Sequence, residues 1–272
     1  MSRHDLTDEE YVAIRSFLPA QKKRSPGRPW KDHRTVINGI FWVLATGSPW
    51  RDLPVEFGKW QTVYGRFRRW LNEGLWDRIF SRFLHRLSKI EGIDLSLWCI
   101  DGSVIRAHRS ASGGSKQSPE NDAKNALGRS QGGYSTKLHL LTDRIGNILS
   151  VTATPGQSHE SKEFENLIQS CPLSLHRVAS RPDAVAGDKG YSSGAIRNWL
   201  RKRQIKDVIP TKSNEKRNTR FPKKLYKQRN IVQCTIGWLK EFRRIAMRFD
   251  KHVESYLCFV KLAAIRWMTN SV

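Results

Sequence analysis

Long apolar runs are missing from this chain. No stretch approaches the ~20 consecutive apolar residues that a bilayer-spanning helix needs. Cysteine is scarce and scattered: the four residues Cys99, Cys171, Cys234 and Cys258 form no CxxC pair. That spacing argues against a structural zinc site and a disulfide framework, and fits a reducing cytoplasm. The opening "MSRHDLTDEEYV" is acidic and amphipathic, unlike a secretory leader, and no lipidation motif appears. Negative charge is also in short supply. Against 48 Lys and Arg stand only 25 Asp and Glu, a formal net charge of +23. A surplus of that size repels itself unless a polyanion binds, and nucleic acid is the commonest one. The basic residues run along the whole chain, which disfavours a localised membrane-binding patch.

What is present points to a folded protein of some size. Hydrophobic residues make up 38% of 272 residues, with ten Trp and eleven Phe, more core than a basic structural tail carries. The length allows two domains, or one with a helical appendage. Residues 1–92 have helical periodicity. Thr7 followed by Glu10 is a capping box ahead of an apolar stripe from Leu6 to Leu18, and Asp32 can cap the next helix. In "KWQTVYGRFRRWLNEG", Trp60, Val63, Tyr64, Phe67 and Leu71 are expected to pack inward, leaving Arg66, Arg68 and Arg69 at the surface for DNA. A helix-turn-helix-like DNA-binding unit and a plain helical bundle with solvated arginines both fit. Arg28, in "GRP", suits a minor groove or simply a loop.

From Leu95 the period changes to that of strands. "LSLWCIDGSVIRAH" and the pair joined at Asp143–Asn147 are β-rich. Helix, strand, helix, strand and helix follow, so residues 93–272 are expected to form a mixed α/β sheet with antiparallel strands first. Residues 108–133 carry a Ser-, Gly- and Asn-rich stretch with little to bury, expected as a flexible loop inside that domain.

Asp101 interrupts one apolar strand and Asp188 ends another, "DAVAGDKGY". Carboxylates there are costly to bury without a cation or donors, and functional groups of α/β sheets gather at strand ends. Two readings are open. The aspartates share a divalent cation with oxygen ligands, Mg²⁺ by preference, in phosphoryl-transfer chemistry; or Asp101 caps a turn and Asp188 pairs with Lys189 or Arg197. Further on, "YKQRNIVQCTIGWLK" places Tyr226, Arg229, Gln233, Gly237 and Lys240 in one arc of a helix, opposite Val232, Thr235, Leu239 and Phe242.

Taken in order, these pieces resemble bacterial insertion-sequence transposases of the DDE class with an RNase H-like core, the IS-five type. The resemblance rests on a Trp-rich helical region with "TGSPWRDLP", then "IDGSVIRAH", "GRSQGGYSTKLHLLTD" and "AGDKGYSS". Last comes the pattern Tyr226, Arg229, position 233, Lys240, followed by "FRRIAMRFDK", and together they cover nearly the whole chain. It implies an RNase H-like mixed sheet preceded by a helical N-terminal unit, and an enzyme that cuts at terminal inverted repeats and joins the freed 3′ end to target DNA. It implies Mg²⁺, with Mn²⁺ able to substitute, held by Asp101, Asp188 and the residue at 233. It also implies DNA contacts from Tyr226, Arg229, Lys240 and Lys189, a homodimer on DNA, and a place at the bacterial nucleoid.

The family's third carboxylate is replaced by an amide, Gln233. An amide oxygen can ligate Mg²⁺ but brings no charge and accepts no proton. Glu241, eight residues on, lies about 12 Å along the axis and about 80° round, out of reach. Losing one anionic ligand is expected to cost about 4 kcal/mol of transition-state stabilisation, a thousandfold in rate. Three activities are thus distinguished: an active transposase, a DNA-binding relic that cuts poorly, and an RNase H-like nuclease that does not transpose.

Overall fold

A computed structural model describes residues 4–20, 31–112, 125–130, 132–173, 181–215 and 221–269. Arg28 and much of the expected flexible loop fall outside them. The chain starts with four helices, α1 (Asp8–Arg15), α2 (His33–Thr46), α3 (Trp60–Asn72) and α4 (Leu75–Lys89). Their ends follow the local code. The Glu10 amide donates to Thr7 Oγ1 at 3.1 Å while the Thr7 amide donates to Glu10 Oε2 at 2.8 Å, the reciprocal box that closes α1. Asp32 caps α2, and Gly47, at φ 70°, ends it in the left-handed conformation that a side chain disfavours.

Among the described residues seven strands follow: β1 (Trp98–Ala107), β2 (Gly128–Ser130), β3 (Gly133–Asp143), β4 (Ile148–Pro155), β5 (Ala184–Ala186), β6 (Lys206–Val208) and β7 (Met247–Arg248). Strand β3 lies antiparallel between β1 and β4, with Gly146 at φ 97° in the β3–β4 turn. Strand β5 runs parallel beside β1, and β6 beside β5. Three antiparallel strands extended by two parallel ones form the RNase H-like mixed sheet expected from the sequence. Helices α5 (Phe164–Gln169) and α6 (Gly194–Lys202) belong to the crossovers on either side of β5. The last part holds α7 (Lys223–Lys227), α8 (Asn230–Leu239), α9 (Arg243–Ala246) and α10 (Val253–Thr269).

The helical N-terminal layer does not keep a core of its own. Helix α10 packs on α1, α3, α4 and strand β4, so one apolar cluster runs from Ile37 and Trp70 through Phe259 to Leu140. The rings of Phe67 and Phe259 stack at 5.0 Å across that junction. A rigid seat for the sheet follows, and with it a fixed position for whatever the strand ends carry. No helix among the described residues is long and apolar enough to cross a membrane.

Two local expectations are corrected here. The stretch from Tyr226 to Lys240 is not one helix, because the chain turns at Gln228 and Arg229 between α7 and α8. On α3 the buried arc is Val63, Arg66, Phe67 and Trp70, a regular i, i+3, i+4, i+7 stripe that includes an arginine. Arg66 is therefore inside, 6% exposed, beside His33 Nδ1 at 2.9 Å and over the Trp70 ring, while Tyr64 is the exposed one.

Candidate metal centre

Register brings Asp101 and Asp188 together. Strands β1 and β5 run parallel with Cys99 opposite Ala186, and each aspartate lies two residues beyond its member of that pair. Equal steps along adjacent parallel strands carry both side chains to the same level and, at a period of two, to the same face. The turn after β5 then fixes Asp188, whose Oδ1 accepts from the Gly190 amide at 2.8 Å. Asp101 Oδ1 accepts from the Gly102 amide at 2.9 Å, and its Oδ2 accepts from Arg229 Nη1 at 2.9 Å. Arg229 is the residue at the head of α8, which lies across β1 and β3. The expected partners of the rival reading are engaged elsewhere in one case: Arg197 pairs with Asp207.

A third carboxylate is present that the sequence does not single out. Glu160, Asp101 and Asp188 offer oxygens that all lie within 4.8 Å of one another. Helical periodicity over residues 159–170 predicts a single helix. Instead a single 3-10 turn, Glu160–Lys162, is capped by His159 before α5 begins at Phe164. That turn directs the Glu160 carboxylate over the neighbouring strand ends. Two glycines make room for it: a Cβ on Gly102 would sit 3.0 Å from Glu160 Oε1, and one on Gly190 would sit 3.3 Å from its Oε2. The signal in the sequence is an acid a few residues past the end of β4, the strand neighbouring β3 in the same sheet. Periodicity assigns it to a helix and hides it.

The electrostatics follow from this crowding. Burial pushes the Asp101 carboxyl above its ordinary range, against the pull of Arg229. Burial also raises Glu160, opposed by Lys137 Nζ at 3.4 Å and reinforced by Asp188. A set of clustered carboxylate oxygens is hard-cation chemistry and suits Mg²⁺ or Mn²⁺ better than a thiolate- or imidazole-seeking metal.

The remaining expected residues are distributed around this centre. Gln233 is exposed on α8, one turn beyond Arg229, and its side chain makes no hydrogen bond among the described residues. Lys240 is exposed at the far end of α8, and Lys189 is exposed directly after Asp188. Tyr226 is half-buried against Phe221, with the Arg229 guanidinium 5.7 Å from its ring centre. On α3, Arg69 is exposed, while Arg68 is half-buried and donates to Ser255 Oγ at 3.1 Å. A cavity of about 770 Å³ lined by Trp50, Trp60, Tyr64, Phe249 and His252 includes none of the three acids, so the carboxylates meet outside this concavity.

Comparisons with known proteins address the family. Residues 93–266 match the family model "Transposase DDE domain", and residues 6–80 match a model described as a candidate transposase of the IS4/5 family. An uncharacterised 16.2 kDa protein of insertion element IS402 from Burkholderia cepacia is 38% identical over 39% of this chain and 76% of its own length. The transposase for insertion sequence element IS1106 from Neisseria meningitidis serogroup B is 31% identical over 39% of this chain and 36% of its own. A crystal structure of the Mos1 mariner paired end complex with Mn covers 92% of this chain and 82% of that one at 15% identity, with a TM-score of 0.30 too low to weigh. With the DDE domain model matching well over half of its residues, the chain belongs to the DDE transposases of the IS4/5 type.

Proposed function

We propose that this transposase binds the terminal inverted repeats of its insertion sequence, cleaves the DNA strand there, and transfers the freed 3′ end to target DNA, using Mg²⁺. The observation that carries this reading is the convergence of Asp101 and Asp188 on adjacent parallel strands with Arg229 beside them. Asp101 and Asp188 hold the cation. When bound, it supplies Lewis-acid activation of the attacking oxygen and stabilises the leaving 3′ oxygen. The chain's own groups do the rest. Arg229, at the head of α8, and the exposed Lys240 and Lys189 hold the backbone phosphates. Tyr226, wedged against Phe221, positions the strand. Two copies of the chain hold the two ends together, and the site of action is the bacterial nucleoid.

Gln233 favours a second reading, in which the ends are bound and competed for but hardly cut. A Mg²⁺-dependent cleavage assay on a duplex carrying the inverted repeats that flank the gene decides. The proposal expects nicking at the repeat boundary that Asp101→Asn abolishes. Retained, repeat-specific binding without any nicking establishes the relic. Nicking of duplexes without repeats at the same rate establishes a nuclease.

A further inference from the structure

Among DDE transposases the third carboxylate is expected on the helix that here is α8, and this chain has Gln233 there. We propose that Glu160 completes the cation site of Asp101 and Asp188 in its place, with Tyr191 as the residue that positions the set. This rests on the reading that the two aspartates bind a divalent cation. It goes further by assigning the third ligand to the turn between β4 and α5.

Two observations carry it independently. The first is geometric: oxygens of Glu160, Asp101 and Asp188 lie within 4.8 Å of one another, close enough to share one ion at oxygen-ligand distances. Gln233, on α8, is exposed. The turn after β4 and the missing side chains at Gly102 and Gly190 together create the berth for Glu160. The second observation is Tyr191. Its side chain is wholly buried, yet its hydroxyl has no hydrogen-bond partner among the described residues. A Cβ on Gly187, the neighbour of Asp188, would sit 3.1 Å from both the Tyr191 ring and Ile100, the neighbour of Asp101, so the ring packs beside the two aspartates. A buried phenol is rarely left without a partner. A carboxylate of Asp101, Asp188 or Glu160 would be that partner when the set holds a cation.

The test is Mn²⁺ binding to the full chain, followed by electron paramagnetic resonance and by calorimetry, with thermal melts to verify folding. Glu160→Gln is expected to weaken Mn²⁺ at least tenfold, Asp188→Asn to abolish binding, and Gln233→Ala to leave the affinity within twofold. Tyr191→Phe is expected to weaken Mn²⁺ severalfold and to change the manganese spectrum. Gln233→Glu is expected to raise neither Mn²⁺ affinity nor cleavage by more than twofold. Unchanged affinity in a folded Glu160→Gln, with Asp188→Asn inert, overturns the assignment of Glu160 and leaves the aspartates as the site. Unchanged affinity in both overturns the underlying reading of a cation site.

Discussion

In the helical layer, Arg66 lies buried on α3 beside the ring of His33 and over that of Trp70. Over the middle of the sheet, Arg229 lies half-buried against the carboxylate of Asp101 on β1. In the sequence both are arginines at helical spacing among other basic residues, and both are expected to face DNA. Their surroundings separate them. Arg66 contributes its stem and plane to aromatic packing, as a long side chain on an apolar stripe does. Arg229 answers a negative charge that the fold gathers at some cost, since Asp101, Glu160 and Asp188 stand within 4.8 Å of one another. Burial is common to both regions. What sets the second apart is like charges held together where packing alone would have kept them apart.

The two regions place opposite demands on stability and on chemistry. Replacing Asp188 by Asn should reduce cleavage by about a thousandfold, while the melting temperature in metal-free buffer stays level or rises, because one of three mutually repelling carboxylates is gone. Replacing Trp70 by Ala should do the reverse. That ring is 1% exposed and meets Trp76 at 5.5 Å, so its loss should cost about 3–5 kcal/mol of folding stability. Activity per folded molecule should hold. Cleavage assays and denaturant melts on the two variants check this; a marked fall in stability for Asp188→Asn would mean the cluster is structural after all.

How far the sequence reveals each region depends on how local the information is. The capping box of Thr7 and Glu10, the Gly146 turn and the two aspartates at matching points of two apolar strands are all legible, because each is encoded within a few residues. The RNase H-like order of strands is legible through the resemblance. Glu160 is not, since its role depends on a 3-10 turn that ends after Lys162, and a helical reading of "HESKEFENLIQS" sends its side chain elsewhere. Arg66 is misplaced because reading α3 by hydrophobicity skips a cation, although the phase of Val63, Phe67 and Trp70 includes it. The break before α8 is hidden because nothing in "KQRN" forbids a helix; at that turn Arg229 reaches Asp101 on the strand below.

A smaller effect separates the sheet interior from the acid cluster by pH. His139 on β3 is fully buried, bonded through Nε2 to Thr154 Oγ1 at 2.8 Å, and burial pulls its pKa from 6.5 to about 4, with Lys137 acting the same way. A depressed folded value means that the neutral ring is the stable one. Its contribution is present in full above pH 6.5 and is lost as pH falls from there toward 4, about 3 kcal/mol in all. Asp101 and Glu160, whose folded values are raised, respond oppositely, gaining relative stability as pH falls. Urea melts from neutral to mildly acidic pH should therefore show the wild type losing stability relative to His139→Gln as pH falls. Profiles of the two proteins that run parallel over that range would show that the imidazole takes up its proton in the folded sheet.

The smallest effect asks which basic surface meets DNA. Lys240 is exposed at the far end of α8 and Arg69 is exposed on α3, while Arg66 is internal. Each phosphate that a side chain no longer neutralises should lower the slope of log affinity against log salt by about 0.9. Lys240→Ala and Arg69→Ala should each remove about that much and weaken binding alike on repeat and non-repeat duplexes, since phosphates carry no sequence information. Arg66→Met should leave the slope unchanged and shift only the melting temperature. A reduced slope for Arg66→Met would break the contrast between the two arginines. An unchanged slope for Arg69→Ala, with Lys240→Ala as expected, would sharpen it, confining DNA binding to the sheet side and leaving the helical layer as the support that holds α10 against the strands.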